Sequence, residues 1–256
     1  MKIGIVTDIH EDIEKLKKTI LSFEKMNCDE IVCLGDIVGF CLPFYTYQDT
    51  RNANECVNIV KKNCSTVVVG NHDLNAIKKI PAFRNKTQYP EDWYELSPFK
   101  KKQLLEGKVW LYEGELLHNL NNENIEYLKN LNEYEIRNFG GINILFSHFI
   151  YPNFSGSNCF FPSFEYNLNS YFEFIEKKNC KFGIFGHLHP NGILMAKKSK
   201  NKLLSIFKAP FYFIDNMVVN INLDVISCFT VPSMAYYGQK HSAVILETTK
   251  FELTLF

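Results

Sequence analysis

The sequence predicts an α/β fold built on a largely parallel sheet, and two observations predict it. Through the first half, short apolar runs alternate with stretches of helical period, the pattern of strands joined by helical crossovers. Beyond Pro190 the helical period stops, and short apolar runs separated by turns read as antiparallel strands of a second sheet. The chain has 256 residues, 46% of them hydrophobic, enough for a sizeable core, which excludes a disordered polypeptide.

Ile3 to Val6 is the first strand. Ile13, Leu16, Ile20, Phe23 and Met26 then recur at spacings of three and four, so a helix capped by Asp12 runs to near Asn27. Glu30 to Leu34 is the second strand, and Asn52 to Lys62 carries Cys56, Val57 and Val60 on one helical face. The β-branched run Thr66 to Val69 is a third strand, which completes a βαβαβ pattern. From about Ile80 to Leu120, several prolines, two tryptophans and polar helical stretches describe helices and loops lying over the sheet. Asn122 to Lys129 is a short helix. Asn143 to Phe146 and Lys181 to Phe185 are the fourth and fifth strands, and between them lies an aromatic segment, Phe149 to Phe174, holding Pro152, Gly156, Ser157 and Pro162. The later strands are Leu203 to Phe207, Met217 to Ile221, Val225 to Phe229, Ala243 to Glu247 and Phe251 to Phe256. No repeat, low-complexity tract or linker interrupts the chain, so residues 1–256 read as one domain with two packed sheets.

Lys+Arg and Asp+Glu both number 28, so the formal charge is zero and no global field draws the protein to long nucleic acid or an anionic membrane. Phosphate recognition must then be local. Arg51, Arg84 and Arg137 are the arginines, so bidentate guanidinium clamps are scarce. No apolar run approaches the ~20 residues that cross a bilayer, and Met1 to Asp8 reaches a carboxylate too soon for a signal peptide, which reads as a cytoplasmic protein. The eight cysteines form no CxxC pair and several sit in apolar runs; they read as reduced core residues rather than a zinc or disulfide framework.

The chemistry lies where strands end. Five apolar runs terminate in Asp8 and His10, Gly35-Asp36, Gly70-Asn71-His72-Asp73, Ser147-His148, and Gly186-His187-Leu188-His189. Sites in open α/β sheets form outside the carboxyl ends of strands, so these residues gather at one edge. Each segment alone reads as an ordinary turn, but together they hold five of the seven histidines. In extended chain, residues two apart point the same way, so Asp8 can converge with His10 and His187 with His189. Gly35, Gly70 and Gly186 let the backbone turn and leave room beside an ion. Carboxylate, imidazole and amide oxygen without thiolate suits Mn²⁺, Fe or Zn²⁺, and the number of groups suits two ions ~3.5–4 Å apart sharing a carboxylate.

In order, the motifs D-x-H, G-D, G-N-H-D, H and G-H-x-H resemble those of the calcineurin-like metallophosphoesterases, from Lys2 to His189 and on to a closing turn at Val231-Pro232-Ser233. Gly35 to Gly39 (Gly-Asp-Ile-Val-Gly) and Asn54-Glu55-Cys56 look most like the small bacterial and archaeal phosphodiesterases. The resemblance implies a four-layer α/β/β/α sandwich of two mixed β-sheets flanked by helices. It implies Asp8, His10, Asp36 and His189 around a first metal, with Asp36 bridging to a second completed by Asn71, His148 and His187. His72 would stand near the leaving-group oxygen and Asp73 would orient it. The implied cofactors are two divalent metal ions, Mn foremost, with Fe, Zn or Ni as alternatives. The implied activity is hydrolysis of a small phosphodiester or phosphomonoester by a metal-bridging hydroxide. A protein-binding scaffold that has lost its metals is opposed by the complete ligand set, and a nuclease by the neutral charge. A homo-oligomer is left open.

Departures from the pattern carry their own expectations. Glu11-Asp12 stands where the family commonly has Gly-Asn, and it reads as a solvated helix start beside the site. Phe40 follows Gly35 to Gly39 without the arginine of protein serine/threonine phosphatases, which argues against phosphoprotein substrates. Phe149 would narrow the pocket next to His148. Segments 40–47 and 149–172 are aromatic enough for a substrate lid, and equally suited to core packing or a dimer interface. His118 and His241, outside every motif, read as structural or exposed.

Overall fold

The computed structural model describes residues 1–42, 44–84, 89–105, 108–199, 204–214, 216–235 and 241–256. Strand β1 (Lys2–Val6) is buried on both faces, which is why its sequence is apolar without alternation. Ile3 and Ile5 point toward one core and Val6 toward the other. The carboxylate of Asp12 accepts the Lys15 N–H and starts α1 (Ile13–Lys25), which buries Ile13, Leu16, Ile20 and Phe23. Gly4 is needed for that packing, because a Cβ there would lie 2.6 Å from the Phe23 ring. β2 (Glu30–Cys33) follows, then α2 (Ala53–Asn63), capped by Asn52 and packed through Cys56, Val57 and Val60. β3 (Thr66–Val67) is shorter than the predicted run: Val68 N–H still donates to Cys33 O of β2, but Val68 also bridges to Asn132 and Val69 N–H donates to Asn132 O.

The segment from α3 (Asn71–Ala76) through α4 (Pro98–Leu105) to α5 (Asn122–Lys129) joins three short helices by irregular chain among the described residues, as expected. β4 (Tyr134–Phe139) was not predicted. It is a half-buried edge strand joined to β5 (Ile142–Ser147) by Gly140-Gly141, both at positive φ. Also unpredicted is α6 (Asn169–Lys177), hidden in the aromatic segment; it buries Tyr171, Phe172 and Ile175 against β6 (Cys180–Phe185). β7 (Ile193–Lys197) and β8 (Tyr212–Ile214) form a hairpin-like pair, whereas Leu204–Ile206 is a 3₁₀ turn and not the expected strand. β9 (Val218–Asn220), β10 (Ser227–Thr230), β11 (Val244–Glu247) and β12 (Glu252–Leu255) match predicted runs.

The strands form two mixed sheets, ordered β3-β2-β1-β11-β12-β9 and β4-β5-β6-β10-β7-β8. β1, β2 and β3 run parallel, as do β5, β6 and β10. β10 pairs antiparallel with β7, as expected of the later strands, and parallel with β6 on its other side. Ile3, Ile5, Val32 and Leu34 of the first sheet meet Phe146, Phe182, Ile184 and Phe229 of the second in one core, where each buried side chain contributes about 1.5–3 kcal/mol. Helices α1, α2 and α5 cover the outer face of the first sheet and α6 that of the second. The result is a four-layer α/β/β/α sandwich, with the carboxyl ends of β1, β2, β3, β5 and β6 at a common rim. No helix among the described residues is long and apolar enough to cross a membrane.

Candidate metal centre

At that rim the backbone adopts conformations that side chains other than glycine rarely take. Asp8, His10, Glu11, Asp36, His187 and His189 have φ of 52°, 45°, 71°, 51°, 66° and 47°, at a cost of about 1–3 kcal/mol each. Backbone hydrogen bonds hold them there. Asp8 N–H donates to Gly35 O at 3.0 Å, Ile9 and His10 N–H both donate to Asp36 O, and Glu11 N–H donates to Ile37 O, so the loops after β1 and β2 are zipped together. Two glycines leave room for the carboxylates: a Cβ on Gly70 would lie 2.1 Å from Asp36 Oδ1, and one on Gly186 would lie 2.0 Å from Thr7 Oγ1 and 2.8 Å from Asp8 Oδ2.

Seven of the residues singled out from sequence are brought together here. Asp8, His10 and His189 offer ligand atoms within 4.8 Å of one another, and so do Asp36, His148 and His187. His189 Nε2 lies 3.0 Å from Asp8 Oδ1, and His148 Nε2 lies 3.1 Å from both Asp36 Oδ2 and His187 Nδ1. His10 Nε2 stands 3.9 Å from Asp8 Oδ1 and from Asp36 Oδ2, which places Asp36 between the two groups. Partners behind these side chains aim them. His10 Nδ1 is 2.9 Å from Gly39 O and His148 Nδ1 is 2.8 Å from Leu34 O, so each ring turns its Nε2 to the centre. Asp8 Oδ2 accepts from Thr7 Oγ1 and from His187 N–H, leaving Oδ1 to face inward.

The electrostatics match that arrangement. Burial alone would raise the Asp8 carboxyl, but the facing His189, His148 and His10 rings outweigh it and hold it well below the usual carboxylate range. Asp36 behaves likewise, with His148, His72 and His10 overcoming its burial. Burial, reinforced by His72, pushes His10 down to about 3, and burial with His148 does the same to His187, so both are neutral lone-pair donors at neutral pH. Burial opposes protonation of His148, yet Asp36 and Asp8 raise it to about 9.

A divalent cation fits these residues on a direct observation. Among the described residues, His10 Nε2, His187 Nε2 and Asn71 Oδ1 are buried without a hydrogen-bond partner, and each such polar atom costs about 1–3 kcal/mol while it stays unsatisfied. Hard and borderline cations of the Mn²⁺ and Zn²⁺ type bind this mixture of oxygen and imidazole.

His72 and Asp73 part company. The Asp73 carboxylate is bonded elsewhere than to the His72 ring: its Oδ1 accepts the Ile37 and Val38 N–H groups at 2.9 and 3.1 Å, and its Oδ2 accepts Gly70 N–H at 3.0 Å, which pins the loop after β2 to the start of α3. Burial and the Asp36 charge push it up to about 7. The orienting carboxylate is Glu115, whose Oε1 is 2.7 Å from His72 Nδ1 and whose Oε2 accepts from Asn75 Nδ2 at 2.6 Å. Burial would lower His72, but Asp36 and Glu115 raise it to about 9. Gly39, at φ +99°, sits beneath this pair, since a Cβ there would be 2.5 Å from His72 Cβ and 2.6 Å from Glu115 Oε1. His72 also offers a ligand atom near His10 and Asp36.

Glu11 is fully buried rather than solvated. Its Oε2 pairs with Arg51 at 2.5 Å, and its Oε1 accepts from His118 Nδ1 at 2.7 Å and from the Gly39 and Phe40 N–H groups. His118 therefore has a structural place, and its Nε2 approaches Glu115 Oε1 at 3.8 Å. Removing one partner of a buried pair strands a charge. Arg51→Met is expected to cost about 3 kcal/mol, read from the urea midpoint.

A cleft of about 440 Å³ opens over the centre, with Asp36, Asn71, His72 and His187 on its floor. The aromatic segments divide. Phe40, Phe154 and Phe172 are core residues, while Phe44 and Phe161 are exposed and face the cleft together with Tyr45, Trp110 and Tyr112. Phe149 is buried behind His187, ring centroids 4.6 Å apart, and supports that imidazole.

A two-sheet sandwich with carboxylates and imidazoles clustered at its strand ends defines a class of α/β folds suited to holding metal ions. A family model described as calcineurin-like phosphoesterase matches residues 1–191, and the chain belongs to that family. It is 27% identical over 147 residues to an uncharacterized protein of Methanocaldococcus jannaschii, a stretch that spans 57% of this chain and 48% of that relative's length. Among solved structures it is similar to a metallophosphoesterase from Sphaerobacter thermophilus, at TM-score 0.64 and 18% identity, covering 100% of this chain and 86% of that one. A hypothetical protein from Pyrococcus horikoshii OT3 is similar at TM-score 0.53 and 13% identity, with coverage of 100% and 86%. At these identities the structural likeness is one of fold.

Proposed function

We propose that this chain is a phosphoesterase that hydrolyses a phosphodiester bond of a small substrate with two divalent cations, Mn²⁺ foremost. The observation that carries the reading is the pair of ligand groups meeting at Asp36, with three buried polar atoms that no described residue satisfies. Asp8, His10, Asp36 and His189 would hold one ion, and Asp36, Asn71, His148 and His187 the other. Such ions supply positive charge to the phosphoryl oxygens and make bound water acidic enough to be a nucleophile at neutral pH. The chain's own residues do the rest. The Asp36 backbone and carboxylate fix the spacing of the two groups. His72, charged and held by Glu115, hands a proton to the departing alkoxide.

The test is hydrolysis of bis(p-nitrophenyl) phosphate and p-nitrophenyl phosphate by protein loaded with Mn²⁺, with metal content measured on the same sample. Faster cleavage of the diester, abolished by chelation, is expected. Faster cleavage of the monoester would reverse the preference, and a metal-loaded chain inert to both would return the scaffold reading. Metal uptake carries a further signature. His148 keeps its proton below about 9, so an ion taking its Nε2 at pH 7 must expel it, releasing roughly one proton and binding more tightly as pH rises toward that value. Calorimetry in buffers of different ionisation enthalpy counts the proton, and a count of zero would remove His148 from the ligand set.

A further inference from the structure

Two segments that the proton and metal chemistry does not use are tied together over His187. Trp110 N–H donates to Ser157 O at 3.4 Å, Cys159 N–H donates to Lys108 O at 2.9 Å, and the Trp110 indole Nε1 donates to Gly156 O at 2.9 Å. Gly156, at φ +76°, lies so close to His187 that a Cβ would stand 2.7 Å from the imidazole. This clamp sets the Trp110 indole edge-to-face with Phe161 at 6.0 Å, and the Phe161 ring lies parallel to His187 at 5.8 Å and 13°. Phe161 keeps 46% of its surface exposed at the cleft mouth, although burying a phenyl face is favourable. Among the described lining residues the charged side chains other than histidine are Asp36 and Glu113, with no lysine or arginine. A group with two negative charges would find there, beyond the ions themselves, only the charged His72 imidazole, whereas a phosphodiester carries a single charge.

We propose that the substrate is a phosphodiester whose retained ester group carries a flat aromatic ring, received by Trp110 and Phe161 beside His187, while the other ester oxygen departs toward His72. The assignment rests on the phosphoesterase reading above and adds the ester class. The rings are held before substrate arrives, so stacking costs little ordering, and a flat ring gains more from them than a small alkyl group can.

The test compares p-nitrophenyl phenyl phosphate, p-nitrophenyl thymidine-5′-phosphate and p-nitrophenyl methyl phosphate on the Mn²⁺-loaded full chain. All three lose p-nitrophenolate, so after correction for their uncatalysed rates only the retained group differs. kcat/KM is expected to favour an aromatic ester over the methyl ester roughly tenfold, the gain of one stacked ring. The faster of the two ring-bearing esters tells a nucleoside, whose base stands off on the sugar, from a plain aryl group. The preference should shrink toward unity in Trp110→Ala and in Phe161→Leu, which keeps an apolar side chain without the flat face, and it should persist in Phe207→Ala, an exposed residue outside the cleft. Equal kcat/KM for all three esters, or a preference unchanged in both cleft variants, overturns this assignment alone. Hydrolysis of none of them by the metal-loaded chain overturns the phosphoesterase reading beneath it.

Discussion

Asp36→Asn should lose roughly 10³-fold or more in turnover and should no longer hold two divalent ions. Asp36 is the carboxylate that both ligand groups approach, with Oδ2 at 3.1 Å from His148 and 3.9 Å from His10 while Oδ1 accepts the His72 N–H. The amide keeps the shape and removes the charge, and metal ions contribute several kcal/mol of transition-state stabilisation that depends on their being held as a pair. The metal-free variant gives an independent readout. Asp36 is the largest influence raising His148 against burial, so its loss should move that imidazole's titration downward from about 9, followed by NMR of the ring protons. Metal stoichiometry from elemental analysis and titration calorimetry completes the measurement. A variant that retains two ions and near-native turnover would show that the bridge lies elsewhere.

How much of this centre was legible in the chain follows from what each feature depends on. Asp8, His10, Asp36, Asn71, His148, His187 and His189 were readable because parallel strands deliver their carboxyl ends to one rim, and this topology is written in local apolar runs. The helices over 13–25, 53–63 and 122–129 were equally plain, since their caps Asp12, Asn52 and Asn121 sit one residue ahead of the helical period. β4 escaped because an edge strand is half-buried and Tyr134 to Phe139 carries Glu135, Arg137 and Asn138 among its apolar positions. The Gly140-Gly141 turn was the signal that could have revealed it. α6 escaped because its apolar face, Tyr171, Phe172 and Ile175, was submerged in aromatics that serve other contacts. The antiparallel pairing of β10 with β7 was readable, but its parallel pairing with β6 was not, because strand direction relative to a distant neighbour is a nonlocal property that no run of four residues encodes. Glu115 and Glu11 were illegible for a deeper reason. Glu115 reaches His72 across 43 positions and Glu11 reaches Arg51 across 40, and a carboxylate that acts through a distant partner leaves no spacing to read.

His72→Ala is expected to keep both ions and to lose about 10²–10⁴-fold in turnover, the contribution of a positioned proton donor. The loss should depend on the leaving group. An alkoxide leaving group needs the proton, so an alkyl ester should suffer the full loss, while p-nitrophenolate departs unaided and should suffer much less. Glu115→Gln separates orientation from mere bulk. The amide can still meet His72 Nδ1 but brings no charge, and a hydrogen bond to a charged group is worth about 1.5–3 kcal/mol, so roughly a 10- to 150-fold loss confined to poor leaving groups is expected. The pH profile supplies the sign. Glu115 helps to raise His72 to about 9. A donor must hold its proton to act, so the wild-type rate falls as pH climbs through the His72 titration, and without the Glu115 charge that fall must begin at lower pH. A residue that only packed against His72 would slow all esters alike and leave the alkaline limb where it was. If instead His72→Ala sheds an ion, the His10, Asp36 and His72 grouping is a metal site, and the proton must come from elsewhere in the cleft.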